Sequence, residues 1–159
     1  MSADSPRRIL VGVDDTPESH AAVAWAAGEA WARDAELWMV HAYTRPVPIA
    51  WHTVPLPPRP GCCDAAAEQM LSRLELELLG PDPQLRVRRI AVEGVAADVL
   101  CRLSINADLL VVGGRRHPAL REVVMGSVAR AVTRSAHCPV TVVHPDDVVA
   151  MSPTLRVGA

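Results

Sequence analysis

The chain has 159 residues, half of them hydrophobic, and a formal charge of −2, the size of one domain with a substantial core. No segment approaches the roughly 18 continuous apolar residues of a membrane span, and interspersed acids and bases leave no electrostatic footprint for DNA or RNA. All 16 basic residues are arginine, which excludes Walker A phosphate loops, Schiff-base catalysis and lysine adenylylation.

Arg8 to Asp14 is a short apolar run read as a strand buried on both faces. Asp15-Thr16-Pro17-Glu18 supplies a capping side chain, a first-turn proline and an acid at the dipole's positive end, predicting a helix to about Arg33. Ala22, Val23, Ala26, Ala27 and Ala30 give that helix a small apolar face for close packing on a sheet. Glu36 to Tyr43 is the second strand. Thr44 to Gly61 holds six of the fourteen prolines and is a long loop carrying Trp51 and His52.

Helical spacing resumes from Cys62 to Leu79 through Ala66, Met70, Leu74 and Leu78, and Gly80-Pro81 ends it. Leu85 to Val92 is a third strand, and Arg86, Arg88 and Arg89 imply partial exposure. A short helix spans Ala96 to about Ile105 with Ala96, Val99, Leu100 and Leu103 on one side, followed by a fourth strand at Asp108 to Val112. After a glycine-rich loop, Ser127 to Ala136 is a helix with Val128, Val132 and Ala136 inward, and Cys138 to His144 is a fifth strand. Strict alternation of strand and helix predicts an open parallel five-stranded α/β sheet with right-handed crossovers and helices on both faces. The expected organisation is an N-terminal extension at 1–7, one Rossmann-like domain at 8–144 and a tail at 145–159. Met1 to Arg8 lacks the apolar core of a signal peptide, so the expected location is cytoplasmic.

Ligands of such sheets bind beyond the carboxyl ends of the strands, where the strand order reverses. Asp14, at the end of the first strand, can accept from ribose hydroxyls or hold a divalent metal; alternatively it is a helix-entry carboxylate beside Asp15 and Thr16. Gly113, Gly114, Gly126, Ser127 and Val128 lie on a strand–loop–helix frame that can cradle a phosphate, the other reading being a plain turn with Ser127 as a helix cap. Arg115, Arg116, His117 and Arg121 either add positive charge there or form solvated surface. Tyr43, Trp51 and His52 can approach a planar base but read better as packing groups. His20, His137 and His144 carry no ligand spacing. Cys62, Cys63, Cys101 and Cys138 read as ordinary reduced thiols. No GxSxG, HExxH or Cys–His signature appears, so the chain reads as no enzyme.

Ile9 to Ser19, Val40-His41-Ala42-Tyr43, Ala107 to Gly113 and His137 to Val143 occur in the order and spacing by which the chain resembles the universal stress protein family over nearly all of Arg8 to His144. Nucleotide-binding members carry a glycine, two residues, a glycine, nine residues, then glycine with serine or threonine. Gly113, Gly126 and Ser127 fill three of those positions with the nine-residue spacer kept, and Arg116 replaces the second glycine. The resemblance implies a strand order of 3-2-1-4-5 and ATP as ligand, with Asp14 meeting the ribose or a phosphate-bound Mg2+ and the backbone near Val40 meeting adenine. Thr16 fills the small-hydroxyl position of the opening turn. It also implies a stress-response switch or adapter that pairs as a homodimer through Val140 to His144. Arg116 can cover a phosphate with a bidentate guanidinium or fill its pocket. In the second case the chain is a dimeric interaction module that has lost nucleotide binding.

Overall fold

A computed structural model describes residues 7–45, 61–116 and 123–146. Five parallel strands form its sheet: β1 (Arg8–Gly12), β2 (Glu36–Tyr43), β3 (Val87–Glu93), β4 (Leu109–Gly113) and β7 (Val140–Val143), in the order β3-β2-β1-β4-β7. This is the expected 3-2-1-4-5 order, with a two-residue ribbon intervening in the chain before the last strand. The helices between are α1 (Pro17–Ala32), α2 (Cys62–Leu78), α3 (Ala96–Ser104) and α4 (Ser127–Ser135).

Alternation along the strands sends their side chains to two separate cores. Ile9, Val11, Leu37, Met39, Leu109 and Val111 point to one face, where α1 contributes Ala22, Val23 and Ala26 and α2 contributes Leu71 and Leu74. Leu10, Trp38, Val40, Leu110 and Val112 point to the other, under Val99 and Leu100 of α3 and Ala129 and Val132 of α4. The alanine face of α1 is buried as its spacing predicts. On α2 the phase differs by one residue at its start: Ala67 is buried and Ala66 exposed.

Boundaries shift where backbone hydrogen bonds are diverted. β1 stops at Gly12, because the Asp14 N–H donates to Ser19 Oγ at 3.0 Å and turns the chain into α1. Leu85 N–H is taken by the Asp82 carbonyl, so β3 starts only at Val87. A pair not anticipated, β5 (Arg115–Arg116) and β6 (Val123–Val124), forms an antiparallel ribbon between β4 and α4. Most of the proline-rich loop, His117 and Arg121, the first six residues and the tail from 147 lie outside the described residues.

Candidate functional site

The order reverses between β1 and β4, which are neighbours in the sheet but lead into helices on opposite faces. At their carboxyl ends lies an open cavity of about 370 Å3 whose lining includes Asp14, Thr16, Val40, Gly113, Arg115, Gly126, Ser127 and Val128. Eight of the eleven residues singled out from sequence are thus brought to one crevice. Asp15 and Gly114 stand outside the lining, and Arg116 is placed by its backbone alone.

The floor is set by the start of α1. Thr16 caps that helix, accepting from Ser19 N–H at 3.3 Å, and its own hydroxyl donates to Asp14 Oδ1. Asp14, which lines the crevice, is therefore oriented through one of its oxygens. Asp15 points elsewhere: Arg73 of α2 donates to it at 2.7 Å and His20 lies 3.2 Å away. The hydrogen bond from Arg73, seconded by His20, holds the Asp15 carboxyl below its ordinary range.

The glycines divide by purpose. A Cβ on Gly113 would come within 2.6 Å of the Glu18 backbone, so this glycine lets the first turn of α1 lie against the end of β4. A Cβ on Gly114 would meet Val142 and His144 at 2.5 and 2.6 Å. Its N–H donates to Val143 at 2.8 Å, and the buried His144 lies with Nδ1 2.9 Å from its carbonyl. His144, which carries no ligand spacing in the sequence, thus fastens the loop to β7. Gly126 is different, since a Cβ there meets nothing within 4 Å. No packing within the described residues requires glycine at that position, and it faces the cavity.

Gly126 is the N-cap of α4 and offers no side-chain cap, so Ser127 is the first helical residue rather than the cap. The opening N–H groups of α4 accordingly have no helical partner and sit at its positive dipole end. Acids occupy the first turns of α1 (Glu18), α2 (Asp64) and α3 (Asp98), while α4 has none. Exposed Arg115 adds a cation on the same rim.

Val40 is less open than expected, because its carbonyl accepts from Val13 N–H at 2.8 Å. Two residues on, at Ala42, β1 has ended and the same edge of β2 borders the cavity. Sequence reasoning passed over His41, which lines the cavity and donates Nδ1–H to the Val13 carbonyl at 2.7 Å. A polar residue inside the apolar run Leu37 to Ala42 was the available signal. Arg116 has an ordinary negative φ in β5, so glycine's left-handed freedom is not needed there. Among the described residues no cluster of three or more His, Cys, Asp or Glu can hold a metal, and no helix is long and apolar enough to cross a membrane. Cys101 and Cys138 are free thiols, both pushed upward in pKa first by burial.

The sequence model of the universal stress protein family matches residues 6–144. The chain belongs to that family. Universal stress protein Rv2005c of Mycobacterium tuberculosis is 32% identical over 149 residues, covering 91% of this chain and 50% of that protein. Rv2623 of the same organism is 34% identical over 157 residues, covering 96% and 52%. The chain spans about half the length of the curated relatives it matches. Among solved universal stress proteins, UspA from Lactobacillus plantarum aligns with a TM-score of 0.64 at 21% identity over 86% of this chain and 97% of that one, a likeness of fold. A second, solved in complex with cAMP, aligns at 0.58 with 26% identity over 88% and 98%.

Proposed function

We propose that this universal stress protein binds an adenine nucleotide in the crevice between β1 and β4, with ATP as its ligand, and that occupancy rather than turnover is its output. The observation that carries the reading is the opening of α4: a glycine free of packing duties, uncapped N–H groups and no first-turn acid, all on the rim of a cavity of suitable size. The cAMP complex of a family member 26% identical supports an adenine nucleotide as the class.

In this arrangement the N–H groups of Ser127 and Val128 take a phosphate, with Arg115 as a charge partner. Asp14 takes the ribose, or one coordination position of a phosphate-bound Mg2+, which ordinarily uses one or two carboxylates besides phosphate oxygens and water. Its supply of a single oriented carboxylate fits a metal brought by the nucleotide, not a resident one. The edge of β2 at Val40 to Ala42 faces the base. Binding more tightly to one arrangement of the ribbon that pairs Arg115–Arg116 with Val123–Val124 gives the nucleotide a means to act as a switch.

Titration calorimetry of the intact chain with ATP and Mg2+ tests the reading, and absence of heat at high micromolar protein with the fold verified would overturn it. A second reading, an adapter without nucleotide, is favoured by Arg115 and Arg116 lying in a ribbon with Val123 and Val124. It requires Arg116→Gly to create or strengthen ATP binding. The remaining expectations belong to the same proposal. The location is cytoplasmic, and two copies pair through Val140 to His144, since β7 is an outer strand of the sheet. Light scattering reads the oligomeric state, and a turnover assay reads any ATP hydrolysis.

A further inference from the structure

The outward side of α1 is apolar although only its inward side is buried. Ala24, Gly28, Trp31 and Ala32 are exposed, Trp31 by 62%, and Trp25 at the edge of this face is half-buried, with part of its ring packed against the core below. At 100° per residue these five share one arc centred on Gly28. The nearby fixed charges, Glu29 and Arg33, are bonded to each other at 2.6 Å. An exposed apolar face that continues along a helix marks a place for a partner. Gly28 adds a separate observation: it lies in the helix interior, a costly place for glycine, and a Cβ there would meet nothing within 4 Å. Nothing among the described residues gives a reason for it.

The order of residues identifies the occupant. Residues 24–32 read Ala-Trp-Ala-Ala-Gly-Glu-Ala-Trp-Ala, the same in either direction about Gly28 except at Ala27 and Glu29. A two-fold axis at Gly28, set between two antiparallel copies of α1, brings Gly28 against Gly28. It also sets Trp25 level with Trp31 of the second copy, and Ala24 level with Ala32. An isologous contact demands this property, that each residue i meeting j is matched by j meeting i. Small residues along the middle let the backbones approach, and the indoles close over the seam from either rim.

We infer that α1 is a self-recognition surface, at which a second copy of this chain packs antiparallel about a two-fold axis at Gly28. The contact does not involve the nucleotide crevice or the β7 edge. One helix face falls well short of the roughly 800 Å2 per partner of a stable interface, so the association is weak and reversible.

Cysteine additions to the full chain test the geometry. After mild oxidation at high micromolar concentration, Gly28→Cys is expected to give a disulfide-linked dimer several-fold above wild type, whose native cysteines set the background. Ala24→Cys alone stays at background, and its mixture with Ala32→Cys gives the mixed dimer, with linkages mapped by peptide mass. In sedimentation equilibrium Trp31→Glu, an exposed change that leaves the core intact, weakens this association by about tenfold. A Gly28→Cys yield at background, Ala24→Cys alone linking as well as Gly28→Cys, a missing mixed dimer, or self-association unmoved by Trp31→Glu each overturns the inference.

Discussion

Gly113 and Gly126 both belong to the glycine pattern of the family, yet the structure assigns them opposite dependences, and alanine at each separates the two. At Gly113 the added methyl would stand 2.6 Å from the carbonyl carbon and oxygen of Glu18 and 2.9 Å from Ser19 N, where ordinary contact begins at 3.4 Å. These neighbours are backbone, so no rotamer change relieves them. The first turn of α1 must withdraw by about 0.8 Å from β4, loosening the 3.0 Å bond from Asp14 to Ser19 and the packing of Ala22 and Val23. Overpacking of this kind costs about 1–3 kcal/mol, and the lack of a flexible neighbour puts Gly113→Ala in the upper half of that range. At about 2–4 °C per kcal/mol for a domain of this size, Tm falls by about 4–12 °C. At Gly126 the methyl meets nothing, φ is −59° and alanine accepts it, leaving only the weaker N-cap preference of alanine, about 0.5 kcal/mol. Tm should move by no more than about 2 °C, while the proposed nucleotide affinity falls because the methyl enters the cavity. Paired thermal melts and ATP calorimetry make the comparison. Equal shifts in Tm, or a larger loss at Gly126, would refute the assignment of one glycine to packing and the other to the ligand.

Gly126→Asp should raise stability by roughly 0.5 kcal/mol, through a side-chain cap and a charge favoured by the helix dipole, while abolishing ATP heat in the same preparation. Asp15→Asn should lower Tm by an amount that is constant at neutral pH and vanishes in acid. A depressed carboxyl contributes above its ordinary value of 3.8 and loses that contribution as pH falls through its lowered one. Because both partners are exposed, high salt shrinks the difference at every pH. Gly28→Ala should stabilise the isolated chain by about 0.5–1 kcal/mol by helix propensity alone, measured by melting at low concentration, and weaken self-association measured by sedimentation at high concentration.

The sheet was legible because burial imposes its own grammar on sequence. Runs such as Ile9-Leu10-Val11 and Leu109-Leu110-Val111-Val112 have no room for polar side chains on either face, and the glycine and proline punctuation between them marks the helices. Two-residue strands carry no periodicity, so the ribbon of Arg115–Arg116 with Val123–Val124 was invisible. Ala66 and Ala67 are chemically identical, and only α2's docking decides which one is buried. The crevice was legible as a set of residues, but the reasons for them were not. Gly113 is glycine on account of Glu18, 95 positions earlier in the chain, and no local reading supplies that contact. His41 escaped because its bond to the Val13 carbonyl joins two strand ends that only the parallel register of β1 and β2 brings together.

Two helix starts border the same crevice, and their difference decides where negative charge belongs. At α1 the work of an N-terminus is already done: Thr16 satisfies the Ser19 N–H, Pro17 has no N–H to offer, and Glu18 answers the dipole. An anion placed there would displace a cap and meet Asp14 and Glu18. At α4 Gly126 supplies no side chain, the first turn has no acid, and Arg115 stands on the rim. The two carboxylates on the α1 side instead suit hydroxyls or a cation. The crevice is therefore polarised, acceptor-rich beside α1 and donor-rich beside α4, with Val40 and Ala42 of β2 and Val112 of β4 between them. A ligand matched to that polarity carries hydroxyls at one end and an anion at the other across a planar or apolar middle, which is the chemical outline of a nucleotide.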